Sequence, residues 1–275
     1  MDIIFLYLGA GTIAGLLAGL FGIGGGMIIV PALIYIFKAQ GMSPDVLTHV
    51  GIGTSLSTII VTSISSLRAH NSKGGVNWYV WKRMAPGLVI GSLIGAGIAT
   101  VIQGDSLQVI IGIGAFLVGL KMLFMKNKSL KDNDLSRLPS GFGQTGLGGF
   151  IGLVSAIFGI GGGTLTVPIL SYCGLKIQHA VGTSAACGLP VATAGAIGFF
   201  VFGQFLSPDV KDTLPSGVYG FVHIYAFVCV SLASFFTAPI GARFAHKVPA
   251  AILKKAFAIL LLVVGIKLIM NSEVI

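Results

Sequence analysis

Six residues, Phe21-Gly22-Ile23-Gly24-Gly25-Gly26, recur 137 positions later as Phe158-Gly159-Ile160-Gly161-Gly162-Gly163. Glycine runs of this kind do chemistry through the backbone. They break a helix, because glycine adds conformational freedom and has no side chain to pack. The helix that restarts after the break has free N–H groups and the positive end of its dipole, a setting that holds anions. The flanks repeat as well: Gly15-Leu16 and Val30-Pro31 return as Gly152-Leu153 and Val167-Pro168 at the same offset. Gly24, Gly25, Gly26, Gly161, Gly162 and Gly163 are therefore candidate ligands of a negatively charged solute, through their amides. Close helix packing is the other common use of glycine in membranes. Duplication favours a site. The runs are not a dinucleotide fingerprint, since G-x-G-x-x-G fails at Met27 and no strand precedes it.

A second matched set is Gly53-Thr54-Ser55, repeated as Gly182-Thr183-Ser184, with His49 and His179 just ahead. The hydroxyls of Thr54, Ser55, Thr183 and Ser184 and the imidazoles of His49 and His179 can donate hydrogen bonds to an anion without burying a permanent charge. Hydrogen bonding between helices is their alternative use. No Asp or Glu stands in the middle of an apolar segment. Such carboxylates are the usual proton relays and cation sites, so their absence argues against a cation carrier and suits an anion. Enzyme signatures are absent: there is no HExxH, GxSxG or P-loop. The cysteines Cys173, Cys187 and Cys229 form no CxxC pair, which speaks against a disulfide or zinc framework. No metal or cofactor is expected.

These residues need elements to hold them. Of the 275 residues, 55% are hydrophobic and only 9% charged, against roughly 25% charged in a soluble domain. The chain belongs in a lipid bilayer. Apolar segments run over residues 3–37, 46–67, 84–102, 107–125, 142–175, 180–205, 218–245 and 251–270. The first is 35 residues long, or ~52 Å as one helix, against a hydrocarbon core of ~30 Å. Both over-long segments contain a glycine run, so each reads as two helices joined at the break. In lipid, a broken backbone is tolerated only where protein or a water-lined cavity satisfies it, and paired breaks in paired halves point to the substrate site of a secondary transporter.

The net charge of +9 does not indicate nucleic acid, because the basic residues are scattered between oily segments and form no stripe. They set topology instead. Placing the clusters Arg68, Lys73, Lys82, Arg83, then Lys126, Lys128, Lys131, Arg137, then Arg243, Lys247, Lys254, Lys255 on the cytoplasmic side requires each glycine-broken segment to return to the face it entered. Both termini then lie outside. Ile94-Gly95-Ala96 and Ile240-Gly241-Ala242 match at an offset of 146, as do Gly119 and Gly265. The fold expected is an all-α polytopic membrane protein. It has two inverted-topology repeats of about five helices each, residues 1–125 and 141–275, joined by a cytoplasmic linker at 126–140.

At 15–31 and 152–168 the chain resembles the sulfite exporter TauE/SafE family of membrane permeases, through the duplicated FGIGGG-x₃-VP pattern. The resemblance covers nearly the whole length. It implies transport of small sulfur-containing anions, such as sulfite or organosulfonates, across the cytoplasmic membrane. The sulfur chemistry rests on that resemblance alone. The expectation is a secondary carrier of a small anion working by alternating access. An anion channel and a non-transporting assembly or sensor protein are its alternatives. The partners expected are the anion and the bilayer; the sequence leaves room for a homodimer.

Overall fold

The computed structural model describes residues 2–21, 25–124, 138–206, 214–245 and 250–272. Gly24 lies outside the described residues, as do Lys126, Lys128, Lys131, Arg137 and Lys247, and most of the expected linker. The first half contains α1 (Asp2–Phe21), α2 (Gly26–Ala39), α3 (Pro44–Asn71), α4 (Trp78–Val101) and α5 (Gly104–Phe124). The second contains α6 (Phe142–Ile157), α7 (Gly163–Tyr172), α8 (Ile177–Phe202), α9 (Ile224–Ala245) and α10 (Ala250–Met270). A short antiparallel ribbon, β1 (Val218–Tyr219) and β2 (Val222–His223), leads into α9, with Val218 opposite His223.

Both over-long segments are broken at their glycines. The arm that follows is 14 residues in α2 and ten in α7. Ten residues rise ~15 Å, about half the hydrocarbon thickness. Five helical stretches among the described residues are long and apolar enough to cross a membrane: Pro44–Asn71, Trp78–Val101, Gly104–Phe124, Gln178–Phe205 and Ile224–Gly241. Large apolar side chains such as Phe5, Ile90, Val101, Phe150 and Phe236 face outward, which suits lipid as the solvent. The chain is an all-α polytopic membrane protein.

Two boundaries differ from the hydropathy reading. Helix α4 begins at Trp78, well before Met84, so Lys82 and Arg83 lie inside it. Asn77 caps it by accepting from Val80 N at 3.1 Å, and the Arg83 guanidinium sits 4.2 Å from the Tyr79 ring centre. A cap and a cation–aromatic pair carry the helix into the interfacial zone that hydropathy reads as loop. The apolar start of 218–245 is the β-ribbon, since Gly217 and Gly220 have positive φ and turn the chain before α9.

Helices α3 and α8 pack against each other at the centre. Around them α1 packs on α9, α6 on α4 and α5 on α10. The halves thus exchange corresponding contacts. A methyl group at Gly95 of α4 would strike the Leu153 carbonyl of α6, and one at Gly241 of α9 would strike the Leu16 carbonyl of α1. Leu16 and Leu153 are equivalent in the repeat, as are Gly95 and Gly241. Thr54 Oγ1 accepts from His223 N at 2.9 Å. Its counterpart Thr183 Oγ1 accepts from Asn77 N at 2.9 Å. Each half therefore fixes the start of a helix in the other.

Candidate anion site at the glycine breaks

Gly25 has φ 74° and ψ −18°, and Gly162 has φ 74° and ψ −22°. Both are left-handed N-caps without a side-chain cap, a conformation that glycine enters at no steric cost. In α7 the N–H groups of Leu165 and Thr166 reach back to Gly162 O at 3.2 and 2.8 Å. Gly162 N donates to Ile160 O at 2.8 Å, so this expected ligand amide is already used, whereas the amides of Gly161, Gly163 and Thr164 have no backbone acceptor among the described residues. Gly161, Gly162, Gly163 and Thr164 are all buried.

The two breaks meet. A methyl group at Gly26 would lie 2.6 Å from Gly159 O and 2.9 Å from Ile160 Cα. Helix α3 runs past both: Ile59 Cδ1 is 2.7 Å from the same Gly26 position. One turn earlier, Ser55 Oγ donates to Gly159 O at 3.0 Å. From α8, Ser184 Oγ reaches Gly163 O at 3.5 Å, a long contact. The structure thus brings Gly26, Gly159 to Gly163, Ser55 and Ser184 to one buried place between α3 and α8.

Of the other sequence candidates, Thr54, Thr183 and His49 contact the ends of neighbouring helices. Thr54 and Thr183 accept from the backbone at the starts of α9 and α4. His49 Nε2 lies 3.1 Å from Ala99 O and 3.0 Å from Ile102 O at the end of α4. Its ring stacks on Phe221 with centroids 5.0 Å apart. His179 is half-buried in the first turn of α8. An apolar groove of about 300 Å³ between α4 and α6, lined by Ile90, Phe142 and Leu153 among others, contains none of the break glycines.

Three residues with hydroxyls outside the expected ligand set flank the second break in the chain, and two of them, Ser155 and Thr166, lie against Gly162. Ser155 Oγ, Thr164 Oγ1 and Thr166 Oγ1 are buried and have no hydrogen-bond partner among the described residues. Their signal lies in the repeat as a difference: the equivalent positions hold Ala18, Met27 and Ile29. A search for identity between copies discards them.

The model of the sulfite exporter TauE/SafE family matches residues 7–268. The chain belongs to the sulfite exporter TauE/SafE family. It is similar to a probable membrane transporter protein of Haemophilus influenzae, 34% identical and covering 98% of both chains. The probable membrane transporter protein YunE of Bacillus subtilis is 28% identical over 94% of each. MJ0441 of Methanocaldococcus jannaschii, also a probable membrane transporter protein, is 27% identical over 84% of this chain and 79% of its own. No solved structure matches the chain significantly. As a member of the TauE/SafE family, the chain falls in a family of membrane transporters, and the duplicated glycine runs lie well inside the matched region.

Proposed function

We propose that this TauE/SafE protein is a secondary carrier of a small anion, working by alternating access between two halves of opposite orientation in the cytoplasmic membrane. The observation that carries the reading is the meeting of the two glycine breaks, Gly26 against Gly159 and Ile160. Each break ends in a left-handed glycine that leaves helix amides without a side-chain cap. Such amides stabilise negative charge, and half-helices aimed at the bilayer midplane hold substrate in other carriers. Gly24 to Gly26, with Gly161 and Gly163, supply the amides, Gly162 sets the turn between them, and Ser55 and Ser184 line the site. Thr54, Thr183 and His49 act on it through the neighbouring helix ends they hold, and His179 from the first turn of α8.

Opposite orientation is supported by the exchanged contacts between halves. It is supported also by Tyr7 near the start of α1, which accepts from Gln40 Nε2 just past the end of α2 at 2.9 Å. In the second half Thr145, near the start of α6, donates to Arg83 O near the start of α4 at 2.9 Å. Each hairpin then dips from its own face and returns to it. The halves are residues 1–125 and 141–275, with both termini outside. The family description supports a sulfur oxyanion as substrate.

Reconstituted protein tests the reading. Liposomes offered sulfite, sulfate, thiosulfate and simple sulfonates, with and without a pH gradient, are expected to show saturable uptake and counterflow of at least one anion. Single-channel currents, or no flux of any anion, would overturn it.

A further inference from the structure

The two breaks share a backbone but not a lining. Around Gly25, a methyl group would lie 3.1 Å from Ala18 Cβ and 3.5 Å from Ile29 Cδ1. Around Gly162 it would lie 3.6 Å from Thr166 Oγ1 and 3.9 Å from Ser155 Oγ. Ser155 is the repeat equivalent of Ala18, and Thr166 of Ile29. The same two positions flank each capping glycine, apolar in one half and hydroxylic in the other. Thr164, in the first turn of α7, replaces Met27.

Ser155 and Thr166 are 0% exposed and Thr164 5%. None of their oxygens has a hydrogen-bond partner among the described residues. A buried hydroxyl without a partner loses the solvation it had in water and gains nothing in return. Two of them flank Gly162 and the third stands two residues further on, beside three amides without a backbone acceptor among the described residues, so that one short stretch gathers donors that lack an acceptor. Ordinary packing has no use for such a set, because Ala18, Met27 and Ile29 fill the matched space with carbon.

We propose that Ser155, Thr164 and Thr166, with the amides of Gly161, Gly163 and Thr164, form the seat of a single oxyanion bearing one negative charge. The inference rests on the carrier reading above. One seat, not two, follows from the apolar residues Ala18, Met27 and Ile29 at the matched positions of the first break. An oxyanion follows from the donor set, since hydroxyl and amide protons need several acceptor lone pairs to meet them. A single charge follows from the surroundings. No Lys or Arg occurs between residues 142 and 175, and none between 46 and 67 in α3 or 177 and 202 in α8. Burial cost grows with the square of the charge, so a dianion would need about four times the compensation, and these walls offer no cation to supply it. The apolar wall of the first break is left to face the rest of the solute.

The test is anion binding by the purified full chain in lipid nanodiscs, with methanesulfonate, thiosulfate and sulfate as probes in isothermal titration. The wild type is expected to bind methanesulfonate at least about tenfold tighter than sulfate. Thr166→Val and Ser155→Ala are each expected to weaken it by about tenfold, the loss of one hydrogen bond to a charged group. Thr166→Ser, which keeps the donor, is expected to stay within about threefold of wild type and so separates donation from packing. Wild-type affinity in both Thr166→Val and Ser155→Ala would overturn the seat while leaving the carrier intact. Preference for sulfate would overturn the single charge. No binding of any anion by the wild type would remove the carrier reading and the seat together.

Discussion

The Cα of Gly26 packs so closely on Gly159 that a methyl group there would lie 2.6 Å from the Gly159 carbonyl oxygen. Both partners are backbone, and Ser55 Oγ already holds that carbonyl at 3.0 Å. Nothing at this point can swing aside as a long side chain would. Gly26→Ala must therefore push the two breaks apart. Transport in liposomes is expected to fall more than tenfold, with the protein still inserted and monodisperse. Gly25→Leu and Gly162→Leu are expected to do the same for a second reason: a φ of +74° costs a side-chain-bearing residue about 1–2 kcal/mol. Normal flux in these variants would remove the breaks from the transport path.

The paired threonines make a prediction about the frame. Thr54 and Thr183 each accept one backbone N–H from the opposite half, both at 2.9 Å. Valine keeps the shape and removes the acceptor. Thr54→Val strands the buried His223 amide, and Thr183→Val strands that of Asn77. An unpaired buried N–H costs about 1–3 kcal/mol. Thermal midpoints in detergent should fall in both, with the double variant close to the sum because the two threonines hold different partners, His223 and Asn77. No loss in either would mean that the helix starts are held by other contacts.

Duplication makes the breaks legible in the amino-acid sequence, because packing alone does not require the same glycine run twice inside two over-long segments. Duplication also hides the hydroxyls. Ser155, Thr164 and Thr166 matter through differing from Ala18, Met27 and Ile29, and a comparison that seeks identity between copies drops them. Thr54 and Thr183 are conspicuous for the opposite reason. Their bonds go to chain segments 169 and 106 residues away, which local spacing cannot reveal. Hydropathy misplaces the start of α4 because it does not register an Asn77 cap or the stacking of Arg83 on Tyr79.

His223 gives a pH dependence. It lies in β2, outside the spanning helices, and burial lowers its pKa below the ordinary histidine value. Ala226 N donates to its Nδ1 at 3.2 Å, which places the ring proton on Nε2, 3.3 Å from the Tyr7 hydroxyl. The folded state thus holds the neutral ring, whereas the unfolded chain protonates near pH 6.5. The contribution to stability is full above that pH and is lost as pH falls below it. Thermal midpoints should drop between about pH 6.5 and pH 5, and less steeply in His223→Gln. Equal slopes in the two proteins would assign the pH dependence to another group.

The orientation of the halves can be read with single cysteines in a background where Cys173, Cys187 and Cys229 are alanine. Gln103, Tyr219, Ser72 and Ser140 are all exposed, so each position can report. Gln103 follows the end of α4, which His49 ties to the start of α3. Tyr219 precedes His223, which contacts Tyr7 near the start of α1 and Thr54 of α3. These two belong to one face. Ser72 follows the end of α3 and leads to Asn77, which Thr183 holds near the start of α8. Ser140 leads into α6, where Thr145 reaches Arg83 near the start of α4. These two belong to the other face. A membrane-impermeant thiol reagent added to intact cells should label Gln103→Cys and Tyr219→Cys. Ser72→Cys and Ser140→Cys should react only after the membrane is opened. Labelling of Gln103→Cys and Tyr219→Cys from opposite sides would mean that the first segment of the second half, which lies between them, crosses outright, and the opposed orientation of the halves would fall with it.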